Sequence, residues 1–249
     1  MSITLNTNRI GSFTSSEIHK LMSNDRSGKG IGAPGLTYIK EKKMELKLKR
    51  SIDVEASSRP MLWGKFLEQR VHDMLDPGYE LISNVTLKHP KIKHWSGSPD
   101  NVKRREFVAC DTKCLQPKKF CEVVEDLTSA YAKKDVSIFR ENHPDKYWQL
   151  VSNAILLSEN GTPIKFIEPI IYMPYEKDLH AIRTSVENAD LEEPWKYRFI
   201  SECLKEELAY LPDDSGYKDL NVFRFALDQG DVSLLTARVI MAQTLLLAK

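Results

Sequence analysis

Apolar and polar residues along this chain follow two different periods. In residues 60–75 apolar side chains recur every three to four positions, which predicts a helix with one buried face. That buried stripe comprises Trp63, Leu67, Arg70/Val71 and Met74. In residues 105–114 apolar and polar positions alternate, which predicts a strand with two unlike faces. Similar patterns predict further helices at 14–22, 37–49, 126–140, 146–157 and 231–248, and a long acidic helix or helix pair at 176–210. They also predict strands at 80–87, 92–97 and 163–173.

The order of these segments predicts an α/β protein with a small mixed β-sheet flanked by helices. The length of 249 residues suits one substantial core. We expect a main domain over 1–212 and a C-terminal helical extension over 213–249, joined by the turn-rich segment 212–216. Residues 23–35 contain four glycines, so we expect a flexible loop there.

Charge is unevenly distributed along the chain, although the net charge is only +1. Residues 1–50 carry ten basic and four acidic side chains, whereas residues 187–219 carry four basic and ten acidic ones. This asymmetry predicts a basic working face and an acidic back. We find no uncharged apolar run long enough to span a bilayer and no signal-peptide pattern, so we expect a cytoplasmic protein without membrane contacts.

Carboxylates occur where a metal-dependent site needs them. Asp100 follows a turn, and Asp111 and Lys113 share one face of the predicted strand 105–114. Glu68 lies one helical turn after Gly64, which we expect to leave open space beside that carboxylate. Carboxylate oxygens bind Mg²⁺ or Mn²⁺, and such an ion polarises a phosphoryl oxygen and lowers the pKa of an attacking water. A neighbouring lysine can orient that water and offset developing charge. The pattern predicts phosphodiester cleavage; an exposed strand face without chemistry is the alternative.

Several ordered motifs in residues 9–173 together resemble the PD-(D/E)XK nuclease superfamily, and within it the lambda-exonuclease and YqaJ-type viral recombinase family. The family's opening segment is matched by Arg9-Ile10-Gly11-Ser12-Phe13-Thr14-Ser15-Ser16-Glu17, and its loop arginine by Arg26. Its W-G-x-x-x-E helix is matched by Trp63-Gly64-Lys65-Phe66-Leu67-Glu68. Its remaining motifs are matched by Ser98-Pro99-Asp100, by Asp111-Thr112-Lys113-Cys114 and, one residue closer together, by Tyr147 and Gln149.

The resemblance implies a restriction-endonuclease-like fold and specific roles. Asp100, Asp111 and the Thr112 backbone carbonyl would bind one Mg²⁺ or Mn²⁺ ion. Glu68 would bind through water or hold a second ion. Lys113 would position the attacking water, and Gln149 would support that water or the scissile phosphate. The DNA contacts implied are a 5′-phosphate site formed by Arg9, Ser16 and Ser98, and Arg26 on its loop.

Two positions depart from the family pattern. Asp111 stands where the family most often has glutamate, and a shorter carboxylate can still bind a metal ion. Asn101 stands where the family usually has glycine. Because asparagine tolerates a left-handed backbone, we expect it to preserve the turn after Asp100.

The resemblance also implies an activity and partners. We expect a Mg²⁺-dependent exonuclease that digests linear double-stranded DNA from its 5′ ends and leaves 3′ single strands for recombination. The family further implies a phage or prophage protein, a homotrimer, and a single-strand annealing protein as partner. One alternative is a RecB-like or restriction-type endonuclease. The other is a catalytically silent module that binds DNA ends.

Overall fold

A computed structural model describes residues 9–52, 58–82 and 85–248. The strands are β1 Phe13–Thr14, β2 Glu80–Leu81, β3 Leu87–Lys88, β4 Trp95–Gly97, β5 Asn101–Lys103, β6 Val108–Cys114, β7 Phe166–Tyr172, β8 Leu220–Val222 and β9 Phe225–Ala226. The α-helices are α1 Ala33–Leu48, α2 Arg59–Met74, α3 Pro117–Lys133, α4 Ser137–Asn142, α5 Pro144–Glu159, α6 Leu179–Asn188, α7 Phe199–Glu202 and α8 Gln229–Leu247. A 3₁₀ helix, Ser15–Met22, precedes α1. Part of the predicted strand 80–87 lies outside the described residues.

The central sheet has the strand order β2-β5-β6-β7-β8, and β9 also pairs with β7. β5 and β6 form an antiparallel pair, whereas β6 and β7 are parallel over their full length. A parallel pair needs a long crossover, which α3, α4 and α5 supply. The predicted α/β class with a small mixed sheet flanked by helices is therefore confirmed.

A second, three-stranded sheet has the order β1-β4-β3. Its central strand β4 leads into the segment that carries Asp100. Gly97, at the end of β4, is in very close contact with the 3₁₀ helix and α5, since an added Cβ would lie 2.0 Å from Ser15 Oγ and 2.8 Å from Asn153 Oδ1. Close packing at Gly97 therefore fixes the position of the backbone at the next residue, Ser98.

The core lies between the central sheet and the helices α2 and α5, both of which pack on β6. α5 is the most enclosed helix, with buried residues on nearly every side. On α2 the side chains of Leu62, Trp63, Leu67 and Val71 are buried. Met74 is 40% exposed, so including it in the buried stripe was wrong.

Several predicted boundaries were wrong for local reasons. The predicted helix 126–140 begins earlier, with Pro117 in its first turn, and breaks at Lys134, whose φ of 54° is left-handed. In the predicted helix or helix pair 176–210 the structure has two α-helices, α6 and the short α7, separated by a 3₁₀ turn that begins at Pro194. The predicted loop 23–35 ends early because α1 already begins at Ala33.

Residues 213–249 contain more than the predicted helical extension. β8 and β9 pair with β7 in the central sheet, and these strands were missed. α8 packs on α1 and α5. By length and composition α8 could cross a membrane, but it contains Asp231 and Arg238, so it is not the uncharged apolar run whose absence we expected. Both of these residues are buried and bonded to other parts of the fold. The domain division itself remains a prediction.

Candidate active site

Asp111 is the centre of the candidate site. It lies on β6 with a side chain that is 1% exposed. Lys113, two residues further on the same face, places Nζ 2.6 Å from Asp111 Oδ2. Gln149 of α5 donates a hydrogen bond from Nε2 to Asp111 Oδ1 over 2.8 Å. The alternative of an exposed strand face is wrong, because the Asp111 side chain is buried and both of its oxygens have partners.

Asp100 reaches the same place through the antiparallel pairing of β5 with β6. It directly precedes β5, and the backbone amide of Thr112 donates to its Oδ2 over 2.8 Å. Among the described residues this amide is the one hydrogen-bond donor to the Asp100 carboxylate. Burial, followed by repulsion from Asp111, raises the pKa of Asp100 to about 7.

Glu68 adds a third carboxylate from α2. Burial raises its pKa, while Lys113 lowers it and Asp111 raises it, so Glu68 shares the electrostatic environment of the β6 residues. The predicted open space at Gly64 was wrong. A Cβ there would lie 3.4 Å from the carbonyl oxygen of Cys114, so the glycine faces the end of β6.

Lys113 interacts with all three of these carboxyl groups, and Lys65 also acts on Glu68. Burial alone would lower the pKa of Lys113, but Asp111, Asp100 and Glu68 together raise it, so the side chain stays protonated. Three carboxyl groups around Lys113 supply an excess of oxygen donors, which suits a hard divalent cation. Within the described parts of the chain, no three His, Cys, Asp or Glu side chains lie close enough to form a ready metal-binding group. Metal binding by Asp100, Asp111, the Thr112 carbonyl and Glu68 therefore remains a prediction.

A second polar cluster lies next to this site along the chain. Arg9 donates from a terminal guanidinium nitrogen to Ser98 Oγ, and from Nε to Thr86 Oγ1 over 3.3 Å. The hydroxyl oxygens of Thr86 and Ser98 are also 3.3 Å apart. The structure thus brings Arg9 and Ser98 together, as the sequence predicted. Sequence reasoning missed Thr86, which belongs to no motif.

Ser16 and Tyr147 lie elsewhere. Among the described residues the side chain of Ser16 pairs with Thr14, at 3.3 Å, and not with Arg9 or Ser98. Tyr147 is fully buried and donates to Asp231 of α8. Since two residues along a helix point in nearly opposite directions, Tyr147 faces away from the carboxylates that Gln149 contacts. Its part is to join α5 to α8.

Arg26 lies on a more ordered loop than we predicted. Asn24 and Ile31 form an antiparallel bridge, and Asp25 Oδ1 accepts hydrogen bonds from the amides of Ser27 and Lys29. Arg238 of α8 holds the base of this hairpin by donating to the carbonyl of Gly30 over 2.6 Å and to the Asn24 side chain. The exposed tip carries Arg26 and Lys29.

Asn101 does not adopt the left-handed backbone that we expected. Among the described residues other than glycine, positive φ occurs at Lys49, Phe107 and Lys134, and Asn101 is the first residue of β5. Its side chain is used instead, since Asn101 Oδ1 lies 2.8 Å from Nδ1 of His72. The sequence pattern gave no sign of this pair, whose members are 29 residues apart.

The mixed sheet, its flanking helices and the placement of the carboxylates define a restriction-endonuclease-like fold. Solved structures with this fold include the alkaline exonuclease LHK-Exo from Laribacter hongkongensis. Its complex with dAMP has a TM-score of 0.61 and 14% sequence identity, over 98% of this chain and 92% of that one. A phage related exonuclease from Haemophilus somnus 129PT has a TM-score of 0.56 and 12% identity, over 94% and 93% of the two chains. No protein-family model and no curated protein sequence matches the chain. At such low identity the likeness shows the fold.

Proposed function

We propose that this protein is a metal-dependent exonuclease that acts on linear double-stranded DNA. It would digest from 5′ to 3′ and leave 3′ single-stranded overhangs for phage-type homologous recombination. The observation that carries the proposal is the grouping of Asp100, Asp111 and Lys113, with Glu68 beside them, on a restriction-endonuclease-like fold. Enclosing a lysine among carboxylates lowers the stability of a fold. Such groups cluster at functional sites, and a hydrolytic site accounts for this one.

Each residue then has a defined task. Asp100, Asp111, the Thr112 carbonyl and Glu68 would hold one or two Mg²⁺ or Mn²⁺ ions, which supply Lewis acidity at the scissile phosphate when bound. Lys113 remains protonated, so it can donate a hydrogen bond to the attacking water and offset charge on the phosphate. Gln149 fixes the orientation of the Asp111 carboxylate through Oδ1.

End recognition is assigned to the polar cluster of Arg9, Thr86 and Ser98. A guanidinium group with two hydroxyls offers the donors that a terminal phosphate accepts. Ser98 lies two residues before Asp100, so the cluster is connected to the carboxylates through a short, fixed segment. Arg26 would contact the DNA backbone from its hairpin, with Ser16 as a further candidate contact.

The solved structures with the same fold are exonucleases by name, which supports an exonuclease over an endonuclease. By the family resemblance we further propose a homotrimer that works with a single-strand annealing protein.

The test uses the purified full chain on three DNA substrates in Mg²⁺: linear duplex with a 5′-phosphate, linear duplex with a 5′-hydroxyl, and closed circular plasmid. We expect digestion of the linear substrates, faster with the phosphate, and no cutting of the circle. Release of mononucleotides from a 5′-labelled strand before a 3′-labelled one establishes the polarity. Digestion should stop in EDTA. Equal digestion of the circle would overturn the exonuclease assignment, and binding without cutting in Mg²⁺ and Mn²⁺ would overturn nuclease activity altogether.

A further inference from the structure

His72 connects the helix that carries Glu68 with the segment that carries Asp100. It lies four residues after Glu68 on α2, so both side chains project from the same side of the helix. Nδ1 of His72 is 2.8 Å from Oδ1 of Asn101, the residue directly after Asp100. Because an amide oxygen can only accept, the imidazole Nδ1–H is the donor.

The other hydrogen bonds around Asp100 explain why the His72–Asn101 contact is important. The backbone around Asp100 belongs to the central sheet: its carbonyl accepts from the amide of Ile82 over 2.8 Å, and Asn101 pairs with Cys110 and Leu81. Glu68 belongs to α2. Within the described residues the His72–Asn101 hydrogen bond is the one that joins α2 to residues 98–103. Asn101 is 1% exposed, so water competes little for this bond.

We propose that His72 and Asn101 are positioning residues, whose hydrogen bond fixes Glu68 relative to Asp100 for binding of a divalent cation. The inference rests on the proposed function, since it needs these carboxylates to hold an ion. Glycine, usual at the position of Asn101 in the family that this sequence resembles, has no side chain to make this bond.

The experiment measures Mn²⁺ affinity by isothermal titration calorimetry, without DNA. It compares the wild type with His72→Ala, Asn101→Ala and the double variant. Loss of an outer hydrogen bond to a metal site lowers affinity about 10–100-fold, so each single variant should raise the Kd by at least about tenfold. The double variant should bind Mn²⁺ no more weakly than the weaker-binding single variant, because both substitutions remove the same hydrogen bond.

Two further variants separate positioning from general loss of structure. His72→Gln keeps an N–H donor and should recover part of the affinity. Gln69→Ala removes another hydrogen bond on α2, the exposed one to Asp73, and should leave the Kd unchanged. Thermal unfolding in EDTA establishes that each variant is folded before titration. If His72→Ala or Asn101→Ala does not fold, the comparison of wild type with His72→Gln and Asn101→Gly takes its place.

The outcomes distinguish the inference from the proposed function. If the wild type binds Mn²⁺ and cleaves DNA while both single variants bind Mn²⁺ equally well, the positioning role is overturned and the nuclease stands. Additive losses in the double variant also overturn it. If the wild type neither binds Mn²⁺ nor cleaves DNA, the proposed function fails and this inference fails with it.

Discussion

The carboxylate site and the hairpin that carries Arg26 are built on opposite principles. Asp111 and Lys113 lie on a buried strand, and their partners come from α2, α5 and the β5–β6 pair. Arg26 lies at the exposed tip of a hairpin that is held at its base by Arg238. The difference teaches where each kind of contact can be made. Buried groups set protonation and geometry for chemistry, whereas exposed cations can adjust to a DNA backbone at low cost.

This comparison predicts that changes in the two regions affect different quantities. Changes at the carboxylate site should lower the cleavage rate and leave DNA affinity nearly intact. Changes at the hairpin should weaken DNA binding and alter its salt dependence.

The largest effect should come from Asp111→Asn. It removes a charge from the centre of the proposed metal site while keeping the shape of the side chain, so the single-turnover cleavage rate should fall at least about a thousandfold. DNA affinity, measured by fluorescence anisotropy in Ca²⁺, should change less than about threefold. The exposed Asp190→Asn is the matched control and should retain full activity. A rate within tenfold of the wild type would remove Asp111 from the mechanism.

Stability of the metal-free protein should depend on pH through Asp100. Its pKa is raised from 3.8 to about 7 by burial, so the native state holds a proton that the unfolded chain has lost. This contribution is fully present below about pH 4 and is lost as the pH rises through about 7. Asp100→Asn should therefore raise the free energy of unfolding at pH 8 by about 1–3 kcal/mol, with little effect at pH 4.5. Urea unfolding in EDTA at both values checks this. An equal effect at both pH values would contradict the assigned cause.

Arg9→Ala should reduce discrimination between DNA ends. A charged hydrogen bond to a phosphate contributes about 1.5–3 kcal/mol, so the preference for a 5′-phosphate over a 5′-hydroxyl should shrink about tenfold or more. The measurement is kcat/KM on the two linear substrates. Arg105→Ala, at an exposed arginine outside this cluster, should leave the ratio unchanged. A fall in activity that is equal on both substrates would place Arg9 outside the phosphate site.

The smallest effect should come from Arg238→Ala. Loss of its bonds to Gly30 and Asn24 should loosen the hairpin and weaken DNA binding a few-fold, and Arg26→Ala should reduce the salt slope by about one. In the Arg26→Ala background, Arg238→Ala should add little, because both act through the same loop. Arg140→Ala removes the ion pair with Asp231 of α8 and leaves the hydrogen bonds of the hairpin in place, so it is the control. Full additivity of Arg26→Ala and Arg238→Ala would contradict the link.

Sequence reasoning predicted the parts of the site that depend on local periodicity. Alternation along 105–114 placed Asp111 and Lys113 on one face, and the structure joins them. Helical spacing indicated Glu68, the family resemblance indicated Gln149, and both residues lie next to β6. These predictions succeed because the side-chain direction in a strand or helix follows from its period.

Contacts between distant segments were not predictable in this way. Thr86 and His72 meet their partners only after the chain has folded, and Arg238 reaches a loop that is 208 residues away. The residue that caps the C-terminus of α3, Lys134, has a left-handed backbone, and this conformation is not expected from a lysine. The distribution of charge along the sequence also gave no sign of β8 and β9. These strands form by pairing with β7 at the edge of the central sheet.

The most direct test of the central claim is a crystal structure grown with Mn²⁺, with anomalous diffraction used to locate the ion. The account predicts one or two anomalous peaks within about 2.5 Å of carboxylate oxygens of both Asp100 and Asp111, with Glu68 beside them. Peaks elsewhere on the protein, with Asp111 still paired only to Lys113 and Gln149, would contradict a metal-dependent nuclease site.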